Sequence, residues 1–149
     1  MKAFKTQSRQ WLYWIGRLIL GAVFIYAAIL KIGSPQDFAD SIAAYQILPF
    51  SVINLLALGL PLFELVCGLS VLTGLFIRIG SLGIFALLVI FTGALTIAQL
   101  RGLSIDCGCF GAHSWLDTNP WMALIRDGAL LALIGFVYKT VLADSALSK

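Results

Sequence analysis

Four stretches of the chain are apolar enough, for long enough, to cross a membrane, and the polar residues gather between them. They run from about Trp11 to Ile32, Val52 to Phe76, Ile79 to Leu100 and Pro120 to Tyr138. Each is close to the ~20 residues that span a ~30 Å hydrocarbon layer as an α-helix. A helix satisfies its own backbone in lipid, whereas strands must close into a barrel, and these runs lack the alternation of barrel strands. The pattern predicts an all-α integral membrane protein, a four-transmembrane-helix bundle forming a single membrane domain over residues 1–149. Ser34-Pro35 and Pro49 break helix continuity in the first long connection. Between them Phe38, Ile42, Tyr45 and Ile47 predict a short helix lying in the interface.

Composition sharpens this reading. The 149 residues are 60% hydrophobic and 11% charged, with a mean hydropathy of +0.98. A soluble domain is typically ~45–50% apolar and ~25% charged. The net charge of +3 comes mostly from termini and loop ends, and no run forms a basic patch, so nucleic acid is excluded as a partner. The lipid bilayer is the expected one. The first span has the basic start of a signal peptide, at Lys2, Lys5 and Arg9. It is long, contains Arg17 and is followed by no A-x-A cleavage site, so it reads as a retained span.

Charge also predicts orientation. Lys2, Lys5 and Arg9 precede the first span, Arg78 is expected in the turn between the second and third, and Lys139 and Lys149 follow the fourth. The opposite side carries Lys31 and Arg101 with Asp37, Asp40, Asp106 and Asp117. The positive-inside rule puts both termini in the cytoplasm. The connections at Gly33–Ser51 and Arg101–Asn119 then face outward, which in a bacterial inner membrane means the periplasm. Trp11, Trp14, Trp115, Trp121 and Tyr138 are placed as interfacial anchors.

The outward connection before the fourth span holds the strongest chemical signal, Asp106-Cys107-Gly108-Cys109-Phe110-Gly111-Ala112-His113. Two cysteines one residue apart in an oxidising compartment hardly stay inert. A Cys-x-Cys disulfide closes a very small ring and departs from relaxed geometry, which makes it easier to reduce. Gly108 removes a side chain that would obstruct the ring. A structural staple gains from closing a long loop, and this pair closes almost none. The spacing therefore suits exchange. The dipole of the fourth helix and Arg101 favour a thiolate, and Asp106 opposes it. Other readings stay open: Cys107, Cys109 and His113 as ligands of a soft metal, with Asp106 as a further donor, a passive disulfide, or an idle reduced pair. Cys67, inside the second span, reads as a small buried hydrophobe.

Arg17, Glu64, Arg126 and Asp127 fall within spans. A charge at the centre of the bilayer costs roughly 2.5–3.5 kcal/mol on insertion scales, so each should face the bundle and be paired. Glu64, which follows Pro61 by less than a turn, is expected to reach Arg17 or Arg126. The four together suggest a polar site beneath the cysteine connection, for a quinone head group or proton transfer. The competing reading is an ion-pair network that locks the bundle, with Arg17 snorkelling to the interface.

These residues carry a family resemblance. Arg17-Leu18-Ile19-Leu20-Gly21 through Lys31 and Pro35 resembles the first helix of DoxX-like membrane proteins, and Glu64-Leu65-Val66-Cys67-Gly68 to Thr73-Gly74 resembles their second. Asp106-Cys107-Gly108-Cys109-Phe110-Gly111, then Trp121 and Arg126-Asp127, is similar to the MauE branch. The resemblance implies thiol–disulfide chemistry beside a thioredoxin-like partner in the maturation of methylamine dehydrogenase, whose small subunit is rich in disulfides. Other branches imply sulfur-compound oxidation feeding the quinone pool. In outline the chain is also similar to DsbB and vitamin K epoxide reductase, which use two cysteine pairs beside a quinone. With one pair here, a quinone would have to meet that pair directly.

The sequence thus predicts an inner-membrane thiol–disulfide redox protein in which Cys107 and Cys109 exchange with a periplasmic thioredoxin-fold or disulfide-bearing protein. The runner-up is a non-catalytic assembly factor or metal-binding membrane protein using the same connection. Four spans without an evident inverted repeat argue against a self-contained carrier.

Overall fold

A computed structural model of the protein describes residues 2–46, 49–102 and 120–147. They form α1 (Lys2–Gly33), α2 (Pro35–Ala44), α3 (Phe50–Thr73), α4 (Ile77–Leu100) and α5 (Pro120–Leu147), with no strand among the described residues. Four segments, Gln10–Gly33, Ser51–Thr73, Ile77–Leu100 and Trp121–Val141, are long and apolar enough to cross a membrane. The all-helical, four-span architecture expected from the hydropathy is therefore what the chain forms.

The four long helices close a ring in the order α1, α3, α4, α5, and α5 returns to α1. One stripe of each faces inward. On α1 it comprises Gly16, Arg17, Leu20, Gly21, Phe24, Ala27, Ala28 and Lys31, the 3–4 spacing of a single helix face. On α3 it comprises Ile53, Ala57, Pro61, Glu64, Cys67, Gly68 and Val71. α1 and α3 run antiparallel and nearly touch at two glycines. A Cβ on Gly21 would lie 2.8 Å from Leu72 Cβ, and one on Gly68 would lie 3.0 Å from Ile25 Cγ1. Small residues at this crossing let the backbones approach closely, the usual source of helix affinity in lipid. Trp11, Trp14 and Trp121 are exposed on the bundle's outer surface, where an interfacial anchor must be.

The short helix expected between the two breaks forms as α2; it packs against α3 and, less extensively, α1, and Phe38 is buried. Ile47, expected on the same helix, lies outside the described residues. The α3–α4 turn comes earlier than expected. Gly74 stops α3 at φ +85°, its N–H donating to Ser70 O at 3.0 Å, and Arg78 belongs to the first turn of α4. Glycine adopts this left-handed backbone without the Cβ penalty of other residues.

Gly74 also leaves room for Arg17, since a Cβ there would sit 2.5 Å from the guanidinium Nη2. Gly74→Ala should therefore destabilise the bundle by about 1–3 kcal/mol, the range for a non-glycine residue held in a sparsely populated backbone region. Gly59→Ala is the control, because a Cβ there meets nothing within 4 Å and alanine is the better helix former. Unfolding of both variants in detergent micelles checks this, and equal stabilities would remove the argument.

Candidate functional site

The intramembrane charges pair differently from the sequence expectation. Glu64 meets neither Arg17 nor Arg126. Its partner is Lys31, whose ammonium Nζ donates to Glu64 Oε1 at 2.6 Å and Oε2 at 2.8 Å. Both residues are 1% exposed. The sequence reading counted Lys31 among the charges of the outer side, yet its place is inside the bundle, in the last turn of α1. The rings of Phe38 on α2 and Phe91 on α4 lie over the same ammonium, each centroid 5.0 Å away. One cation on α1 thus holds α3 through a carboxylate and α2 and α4 through aromatic faces. Charge-assisted bonds and cation–π contacts both strengthen when water is excluded. The signal that could have found this pair was Lys31 itself, a cation ending an apolar run just before a Ser-Pro break.

Arg126 and Asp127 pair with each other. Arg126 Nε and Nη2 donate to Asp127 Oδ1 at 3.2 and 3.1 Å. Adjacent helix residues point in different directions, so the long arginine side chain bends back to reach its neighbour. Asp127 is 3% exposed and Arg126 21%. Thr92 Oγ1 on α4 donates to Asp127 Oδ2 at 3.5 Å, a long bond. This pair lies about two turns into α5, toward the end of the bundle from which residues 103–119 leave α4 and return to α5.

Lys31, Glu64, Arg126 and Asp127 line one cavity of about 30 Å³, shared with apolar side chains that include Phe24, Leu88 and Phe91. Three of the four residues expected in a polar site, Glu64, Arg126 and Asp127, are therefore brought together, and Lys31 joins them.

Arg17 is not. It lies about 21 Å along α1 from Lys31 at the 1.5 Å rise of a helix. Its Nε donates to Val71 O at 3.0 Å and its Nη2 to Leu72 O at 3.3 Å. These are among the last carbonyls of α3, which have no partner within the helix, at the negative end of its dipole. Trp14 and Tyr13 cover the guanidinium, with ring centroids 4.6 and 5.5 Å from Cζ. Arg17 is buried and caps the end of α3.

The expected reactive pair, Cys107 and Cys109, lies outside the described residues, as do Asp106, His113, Trp115 and Asp117. Among the described residues no group of three His, Cys, Asp or Glu could hold a metal ion. Cys67 is a buried free cysteine on the α3 stripe, against Gly83 of α4.

Four apolar helices closed around paired charges define a multi-pass membrane protein with a polar spot in its interior. The family model for methylamine utilisation protein MauE matches residues 9–140, and the chain belongs to the MauE family. It is 30% identical over 121 residues to the methylamine utilization protein MauE of Paracoccus denitrificans, covering 80% of this chain and 64% of that protein. It is 28% identical over 132 residues to the protein of that name from Methylophilus methylotrophus, covering 88% of this chain and 70% of that one. The chain thus spans about two thirds of the length of these curated relatives. No solved structure matches it.

Proposed function

We propose that this protein is a thiol–disulfide redox component of methylamine utilisation in a bacterial inner membrane. Cys107 and Cys109 exchange a disulfide with a periplasmic thioredoxin-fold or disulfide-bearing protein during its maturation. The observation that carries this reading is the Cys-Gly-Cys sequence in the connection between α4 and α5, a spacing that closes a small, reducible ring. Family membership supports the methylamine-utilisation part of this reading, because the MauE relatives bear methylamine utilisation in their names. The paired charges serve the bundle on which that connection is mounted.

Glu64, Arg126 and Asp127, with Lys31, line the cavity, and no electron step is routed through a quinone there. The pairing of all four cavity charges favours a second reading, a non-catalytic assembly factor locked by ion pairs.

Thiol labelling in intact membranes, before and after reduction, separates the two. Exchange requires Cys107 and Cys109 to gain two labels on reduction and lose them on reoxidation. Labelling unchanged by reduction sinks the redox reading, and labelling blocked only by added Cu(I) or Zn(II) replaces it with metal binding. Orientation has its own test. A reporter active only in the periplasm should work when fused after Asp117 and fail when fused after Arg78, and the reverse result would place the cysteine pair in the cytoplasm.

A further inference from the structure

We infer that the cavity between the two ion pairs is a water-binding site, and that its water joins Lys31–Glu64 and Arg126–Asp127 into one hydrogen-bonded unit. Three observations point the same way. Among the described residues the lining charges are two cations and two carboxylates, which balance one another and suit a neutral polar occupant. The cavity's volume of about 30 Å³ is room for roughly two water molecules at 10–15 Å³ each. A cavity lined only by apolar groups stays dry, but a buried water needs two to four polar partners, and here four charged side chains supply them. Carboxylate oxygens accept more than one hydrogen bond each, so the short Lys31–Glu64 contacts leave Glu64 able to accept from water as well.

The consequence is a polar unit that crosses the bundle. Lys31 and Glu64 tie α1 to α3, and Arg126 and Asp127 belong to α5. Water between them relays hydrogen bonding across helices that are not all neighbours in the ring, α3 and α5 being opposite. Such a unit holds an exchangeable proton inside the membrane without a net charge, and a change at one pair is felt at the other.

X-ray hydroxyl-radical footprinting of the full chain in lipid nanodiscs tests the site without any variant, because bound water itself generates the radical. Leu88 lines the cavity and is 3% exposed, whereas Leu20 and Leu95, both 0% exposed, do not line it. Leu88 should be modified several-fold faster than Leu20 and Leu95. Equal rates would overturn the water site. The joining of the pairs is read from a double-mutant cycle of Glu64→Gln and Asp127→Asn, followed by thermal unfolding. The melting shift of the double variant should differ from the sum of the single shifts, as for residues that share partners. Additive shifts would overturn the joined unit.

Discussion

Lys31→Met should destabilise the bundle by about 3–5 kcal/mol, the cost of breaking a buried ion pair and leaving one charge uncompensated. Glu64 is 1% exposed and would face a methionine where an ammonium stood. The ammonium also carries the contacts to Phe38 and Phe91, so α2 should loosen from α3 in the same variant. The double variant Lys31→Met/Glu64→Leu should regain most of the loss. Replacing both members of a buried pair with apolar residues of similar volume is often neutral or stabilising. Thermal unfolding in a mild detergent measures both effects. If Lys31→Met melts with the wild type, or the double variant melts no higher than the single one, the pair does not hold the bundle. A double variant that is stable but inactive would separate the chemistry of the pair from its structural role.

A single-cysteine variant in the Cys-Gly-Cys sequence should trap a partner protein. In exchange, one thiolate attacks a disulfide sulfur of the partner, and the mixed disulfide forms as the partner's other sulfur leaves with the electron pair. The second cysteine then attacks the mixed disulfide and frees the partner as a dithiol, so two electrons have moved to the partner and Cys107–Cys109 is the new disulfide. Without the second thiol the release step is gone and the adduct persists. Cys109 is nearer in sequence to the start of α5, whose dipole favours a thiolate, and Cys107 follows Asp106, which opposes one. Cys107→Ser should therefore accumulate a reducible adduct with a periplasmic thioredoxin-fold protein, and Cys109→Ser should accumulate less. Both should abolish a redox function. Absence of any adduct in either variant, with full activity in both, would falsify redox exchange.

The two effects differ in kind. The Lys31–Glu64 pair governs whether the bundle stands, and its test needs only folded protein. On the proposed function the cysteine pair governs what the bundle is for, and its test needs the partner in the compartment proposed for it. A variant at Lys31 that lowers adduct formation only in proportion to the protein remaining folded would keep the two roles apart.

Hydropathy was enough for the four spans and the helical class. A run of some twenty apolar residues has few stable options in lipid other than a helix. Family membership was likewise legible, since it rests on sequence patterns from α1 to α5. Which face of each helix turns inward was not legible. In water, burial selects apolar residues, but in a membrane both the lipid-facing and the packed face are apolar. Leu18 is 62% exposed and Leu20 is 0% exposed, and nothing in the leucines themselves distinguishes them. Small residues and charges mark the inner face, as Gly21, Gly68 and Glu64 do.

The sequence by itself determined that Glu64, Arg126 and Asp127 must find partners inside the bundle, because unpaired charge in hydrocarbon is costly. It did not determine the partners. Lys31 and Glu64 are 33 residues apart on different helices, and the register at which α1 crosses α3 brings them level. That register depends on the close approach at Gly21 and Gly68 and on the break at Ser34-Pro35 that ends α1 and folds Phe38 over the ammonium. The same register carries Arg17 to the far end of α3, where it caps carbonyls instead of joining the cavity. Charge requires that partners exist, and only the packing of helix against helix decides which ones they are.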